Sequence, residues 1–191
     1  MKLKAIDTPY KNYLFRSRLE AKWAYYFDLF NVRWEYEKEG YELGDGIRYL
    51  PDFYFPDYRI YAEVKPILPT FKEHSKCKRL ANLTQCKVIE LVGLPSNRPM
   101  NVIMPSKRYV CSKCGKQEEY DENDKRECCG CKVKHKVENV IYQSEAILLF
   151  HCDKDSYKPL YFTTIHDHYT ENPIILENIK KANQVRFEFL T

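Results

Sequence analysis

The sequence predicts an α/β chain, an α/β/α sandwich around a mixed central sheet with a small cysteine-rich insertion. Three observations carry this reading. Apolar and polar residues alternate along Tyr49-Leu50-Pro51-Asp52-Phe53-Tyr54-Phe55 and again along Arg59-Ile60-Tyr61-Ala62-Glu63-Val64-Lys65, the period of strands. Leu19, Trp23, Tyr26 or Phe27, and Phe30 recur at the three-and-four spacing of a buried helical stripe. Two Cys-x-x-Cys pairs stand close together in the second half.

The first helix is expected over about 14–30. Glu20 lies at the edge of its stripe, so its carboxylate points partly inward toward whatever the sheet presents. Ser17-x-x-Glu20 equally fits a capping box, and Arg16 with Glu20 fits an i,i+4 ion pair worth a few tenths of a kcal/mol. A strand over 32–37 follows, with Glu37 as a secondary acid beside the hairpin. The hairpin is next: Pro56-Asp57-Tyr58 reverses the chain, because proline presets its backbone angle and aspartate favours a turn. Phe53 and Phe55 share one face, and Asp52 and Tyr54 the other. Ile60, Ala62 and Val64 face a core, whereas Glu63 and Lys65 leave the opposite side together.

A second helix is expected over about 70–83, anchored by Phe71 and Leu80 and carrying Lys72, Lys76, Lys78 and Arg79. A strand over 87–92, closed by Gly93, completes the sandwich of helix, three mixed strands, helix and strand. Past the insertion, 145–152 reads as a buried strand, 160–164 as its hairpin partner, and 174–187 as an amphipathic final helix. These strands are expected to return to the main sheet. The resulting division is 1–106 for the first part of the core, 107–138 for the insertion and 139–191 for the remainder.

Asp52, Glu63 and Lys65 form a trio suited to phosphodiester hydrolysis. The phosphodiester charge repels a nucleophile, so a hard cation held by carboxylate oxygens neutralises it and supplies hydroxide near neutral pH. A lysine ammonium adds a mobile point charge. Taken singly, Asp52 is a turn residue and Glu63 with Lys65 the wet face of an edge strand. That account leaves their coincidence on one surface unexplained.

The run Phe15-Arg16-Ser17-Arg18-Leu19-Glu20-Ala21-Lys22-Trp23-Ala24, then Trp34-Glu35-Tyr36-Glu37, Tyr49-Leu50-Pro51-Asp52-Phe53 and Glu63-Val64-Lys65 resembles phage-type members of the PD-(D/E)XK nuclease superfamily, the restriction-endonuclease-like fold. The likeness covers about the first ninety residues in order, and Ala182-Asn183-Gln184-Val185-Arg186-Phe187-Glu188 resembles the closing segment of such proteins. It implies a Mg2+-dependent (or Mn2+-dependent) deoxyribonuclease in which Glu20, Asp52 and Glu63 bind the metal and Lys65 is catalytic. The expected partner is DNA. RNA stays open because the chemistry at phosphorus is the same, as does a homodimer. The alternative is a non-catalytic adaptor that binds DNA or protein on a nuclease-like scaffold.

Five of the eight cysteines fall in Cys111-Ser112-Lys113-Cys114 and Cys128-Cys129-Gly130-Cys131. Two such knuckles have the spacing of a four-thiolate zinc ribbon. The expected ligands are Cys111, Cys114, Cys128 and Cys131, with Cys129 or His135 as substitutes. The stretch 116–127 is nearly all polar, so zinc must supply its folding free energy. A structural clip and a DNA or protein contact through Lys107, Arg108, Lys113, Lys132, Lys134 and Lys136 weigh equally. Cys77, Cys86 and Cys152 read as thiols without chemistry, and His166 and His168 as surface residues ahead of metal ligands.

The opening Met1-Lys2-Leu3-Lys4 begins no apolar signal segment, so a reducing cytoplasm is expected, that of a host cell if the chain is phage-encoded. No transmembrane run is visible. The net charge of +4 over 191 residues is too modest to establish a nucleic-acid partner but allows basic patches around an acidic site. The 16 Tyr and 10 Phe residues mostly pack, with Tyr54, Tyr58 and Tyr61 as candidates for stacking on bases.

Overall fold

The computed structural model describes residues 5–96, 100–105, 108–110, 117–119, 150–153, 156–159 and 173–190. In chain order the elements are β1 (Thr8–Tyr10), β2 (Tyr13–Phe15), α1 (Arg18–Leu29), β3 (Glu35–Tyr36), β4 (Tyr41–Glu42), β5 (Arg48–Tyr49), β6 (Phe53–Phe55), β7 (Ile60–Lys65), α2 (Phe71–Thr84), β8 (Lys87–Val92), β9 (Asn101–Ile103), β10 (Arg108–Val110), β11 (Gln117–Glu119), β12 (Phe150–Asp153), β13 (Ser156–Pro159) and α3 (Pro173–Gln184), with a 3-10 turn at Phe187–Phe189. The fold is mixed α/β. Its main sheet has five strands in the order β3-β6-β7-β8-β9, antiparallel throughout except for the parallel β7–β8 pair that α2 connects.

Both faces of this sheet are covered. Ile60, Ala62 and Val64 of β7, with Ile89 and Leu91 of β8, join Trp23, Ala24 and Phe27 of α1 and Ile175 and Ala182 of α3 in one core. The Phe27 ring meets Phe53 and Phe55 edge-on, with centroids 5.4 and 4.8 Å apart. Buried rings of this size each contribute about 1.5–3 kcal/mol through removal from water. Tyr61 and Val88 on the opposite face pack with Cys77, Leu80 and Ala81 of α2 in a second core. The face carrying Glu63 is therefore covered by a helix and is no wet edge.

Local chemistry explains the boundaries. α1 starts at Arg18 and not near residue 14, because Tyr13–Phe15 pairs with Thr8–Tyr10 in a hairpin. Ser17 caps the helix, its side chain accepting the Glu20 N–H. α2 opens on a full capping box between Thr70 and Glu73. Phe71 does not anchor it: at 89 % exposure its ring lies in solvent, whereas Leu80 is fully buried. β8 spans the expected residues and ends at Gly93, whose φ of +71° suits glycine. The Gly93 carbonyl accepts the Trp23 indole N–H at 2.9 Å, fastening α1 to the sheet.

Two further expectations are corrected. The stretch 49–55 is two strands: Tyr49 pairs with Tyr41, Pro51 brings no N–H for a ladder, and pairing with β7 resumes at Phe53. β9 adds a fifth strand that the sequence reading did not include. Among the described residues β12 and β13 pair with Asp153 opposite Ser156 as a two-stranded sheet, while 145–149 and 160–164 of the expected strands lie outside the described residues.

α3 packs on α1, so chain from beyond the cysteine-rich segment closes the layer that the first helix began. Asn183 accepts from Lys22 through its carbonyl and donates from Nδ2 to the Pro95 carbonyl at 3.0 Å. β10 and β11 pair with Val110 opposite Gln117, and so flank Cys111 and Cys114 in sequence. Those two cysteines, together with Lys107, Lys113, Cys128, Cys129, Cys131, Lys132, Lys134, His135, Lys136, His166 and His168, lie outside the described residues. No helix among the described residues is long and apolar enough to cross a membrane.

Candidate active site

Asp52 occupies the bend between β5 and β6, just beyond the end of the β6–β7 ladder. There its side chain takes the place of a strand: Oδ2 accepts the Val64 N–H at 2.8 Å while its main-chain carbonyl accepts the Glu37 N–H at 2.9 Å. Oδ1 accepts from Arg16 Nη2 at 3.0 Å. The carboxylate is only 4 % exposed.

Glu63 and Lys65 leave β7 on the same side, as the alternation requires. Lys65 Nζ lies 2.7 Å from Glu63 Oε1 and 3.6 Å from Glu73. The other Glu63 oxygen accepts the Tyr49 hydroxyl at 2.7 Å, and that hydroxyl is 3.4 Å from the Cys77 thiol. Burial, with Cys77 and Glu63 alongside, holds the Tyr49 phenol far above its ordinary range, so it remains a donor.

Glu20 is buried at the start of α1. Ser17 Oγ donates to its Oε1 at 2.6 Å and the Tyr36 hydroxyl to its Oε2 at 2.5 Å. Arg16 pairs with Asp52 and with Glu37 (Nε to Oε1, 2.5 Å), and makes no i,i+4 bridge to Glu20. Its main-chain N–H donates to the Tyr36 hydroxyl at 3.1 Å. Glu37, the secondary acid of the sequence reading, thus stands in the ring of charges around Asp52.

The electrostatics tie these groups together. Burial, then the charge of Glu63, pushes the Asp52 carboxyl up to about 8; Glu20 adds to the shift, while the Val64 N–H and Arg16 oppose it. Burial alone would lower Lys65, but its hydrogen bond and charge contact with Glu63, helped by Asp52 and Glu73, raise it. Asp52, in the β5–β6 bend, therefore feels the charges of Glu63 from β7 and Glu20 from α1, and Lys65 feels those of Glu63 and Asp52.

The donors suit a divalent metal in kind: they are the hard oxygens that magnesium takes, and the burial and neighbouring Glu63 charge that raise Asp52 are effects a cation would oppose. Among the described residues, however, no group of three or more His, Cys, Asp or Glu side chains stands ready to grip one ion. Each carboxylate is committed to a protein donor, and ligation would exchange some of these for metal.

Two of the proposed stacking tyrosines are taken up elsewhere. Tyr61 is buried, with its ring against Tyr54 and its hydroxyl 2.5 Å from that of Tyr41. Tyr54 lies under Lys38, whose ammonium is 4.2 Å from the ring centroid. Tyr58 is exposed, at the turn end of the hairpin, away from Asp52. On α2, Arg79 is held by the Leu43 carbonyl and Asp45.

Sequence reasoning gave Arg16 only to an ion pair with Glu20, assigned no site role to Tyr36 or Tyr49, and missed Glu90. This residue is 1 % exposed on β8, directly opposite Glu63 in the parallel register. His74 Nδ1 lies 3.1 Å from its Oε1, and Asn101 Nδ2 donates to its Oε2 at 2.5 Å. An acid in the middle of the apolar run Val88-Ile89-Glu90-Leu91-Val92 was the available signal.

Comparison of the chain with protein-family models, with curated proteins and with solved structures gives no significant match.

Proposed function

We propose that the chain is a metal-dependent nuclease that hydrolyses DNA phosphodiester bonds on a restriction-endonuclease-like scaffold of the PD-(D/E)XK type. The observation that carries this reading is the burial of Glu20, Asp52 and Glu63 on three separate elements, with the charges of Glu63 and Glu20 both felt at Asp52 and the Lys65 ammonium 2.7 Å from Glu63. Burying neighbouring carboxylates costs stability unless they are paired, and such arrangements gather at functional sites.

Asp52 and Glu63 would hold Mg2+ or Mn2+, with Glu20 completing the shell directly or through water. The bound ion supplies charge neutralisation and hydroxide near neutral pH. Lys65 orients the attacking water and stabilises charge developing at phosphorus. The Val64 N–H and the Tyr49 hydroxyl keep the Asp52 and Glu63 oxygens in place, so little reorganisation accompanies the reaction. The two cysteine knuckles would hold a structural Zn2+, a reading supported by the β10–β11 hairpin that flanks the first of them.

One observation favours the adaptor reading instead: every site carboxylate already has a protein partner, and no three-donor group stands ready among the described residues. Cleavage of plasmid, single-stranded DNA and RNA with Mg2+ or Mn2+, comparing the wild type with Asp52→Ala and Lys65→Ala, separates the two. The nuclease reading expects metal-dependent cutting that both substitutions abolish. A wild type that binds DNA tightly yet cuts nothing establishes the adaptor.

A further inference from the structure

We propose that Arg16 is a further catalytic residue of this site, the guanidinium that receives the phosphate of the strand to be cut; this rests on the nuclease reading. Its position is specific. Nη2 donates to Asp52 Oδ1 at 3.0 Å, and Nε lies 2.5 Å from Glu37 Oε1. The Tyr36 hydroxyl also meets the Arg16 side chain, and a guanidinium with five N–H donors in a planar fork can serve these neighbours and still offer a donor to another acceptor.

Exposure decides between the two site cations. The Lys65 side chain is 23 % exposed and is occupied by Glu63 and Glu73. The Arg16 side chain is 57 % exposed while still touching a carboxylate that is nearly closed to solvent. Arg16 therefore spans from the buried acid to the mouth, where a polyanion arrives. Without a cation there, Glu20, Glu37, Asp52 and Glu63 would repel a phosphate.

The anchoring is built in. Glu37 adopts φ +45°, a left-handed conformation uncommon for a residue with a side chain, and its N–H is spent on the Asp52 carbonyl. Were a divalent ion to compete for Asp52, Glu37 would still hold the guanidinium at the site. A planar fork suits two phosphate oxygens in a way that a lysine point charge does not.

The test is Mg2+-dependent cleavage by the full chain, with kcat and KM separated, for the wild type, Arg16→Ala, Arg16→Lys and Glu37→Gln. Circular dichroism checks folding, and DNA binding is measured with Ca2+ in place of Mg2+. Arg33→Ala is the control, since Arg33 pairs with Asp57 at the far turn of the hairpin. Losing one preorganised donor lowers kcat by about 10²–10³-fold, so Arg16→Ala should fall by that much, Arg16→Lys should recover only part, and Arg33→Ala should match the wild type. Glu37→Gln should cost less than Arg16→Ala. Free guanidinium ion added at non-denaturing concentration should raise the rate of Arg16→Ala and leave the wild type unchanged. Should Arg16→Ala not fold, Arg16→Lys and Glu37→Gln decide: full rates in both overturn the proposal. A wild type that cuts while folded Arg16→Ala cuts equally well overturns the role of Arg16 and leaves the nuclease reading standing. A wild type that cuts nothing overturns both.

Discussion

Asp52 Oδ2 accepts the main-chain N–H of Val64 at 2.8 Å, which joins the bend before one strand to the middle of the sheet through a carboxylate instead of a ladder. The same carboxyl is pushed up to about 8 by burial and by its acidic neighbours. An aspartate in the unfolded chain ionises near pH 4. Between those values the native state keeps a proton that the unfolded chain has released, so stability falls as pH rises across the interval and levels off above it. Thermal unfolding of metal-free protein should therefore show a melting temperature that declines from about pH 5.5 to about pH 8, with a shallower decline in Asp52→Asn. A melting temperature that rises over this range contradicts the assigned direction.

Tyr49→Phe removes the donor to Glu63 and the contact with Cys77 while keeping the ring. A buried acceptor left unsatisfied costs about 1–3 kcal/mol. At ~2–4 °C of melting temperature per kcal/mol for a chain of this size, the loss is readable by calorimetry. Cleavage should weaken in parallel, since Glu63 would no longer be held in place.

Glu90→Ala should cost at least ~2 kcal/mol, from the cavity and from polar partners left unmatched. Glu90→Gln, which can still face His74 and Asn101, should cost less. Chemical denaturation of the two variants checks the order.

Zinc analysis by elemental mass spectrometry should return about one ion per chain. Cys111→Ser and Cys131→Ser should lower that content, whereas Cys77→Ser should retain it, because the Cys77 thiol is buried beside Tyr49. Equal zinc in all four proteins would overturn the proposed ligand set.

Much of the frame was legible where local chemistry decides it. The Thr70-x-x-Glu73 pattern marks the start of α2, and the apolar run before Gly93 marks β8. Opposite facing of Ala62 and Glu63 follows from alternation alone. The break at Pro51 was visible too, but alternation across it outweighed the missing N–H. The partners of the site were not legible. Arg16 meets Asp52 across 36 positions and Tyr36 across 20, distances over which no local pattern operates. Glu63 as a buried residue was hidden for a related reason: only the docking of α2 turns that face of the sheet into an interior.

β7 is hydrogen-bonded along both edges, to β6 on one side and β8 on the other. Its main chain is thus clamped like the middle plank of a floor, and Glu63 and Lys65 can change only their torsions, never their footing. Any fitting to ligands of different contour falls to the outlying parts, such as the short β4–β5 ribbon that brings Tyr49. Amide exchange should be slowest along β7 and quicker in that ribbon, a gradient of stiffness running outward from the acids.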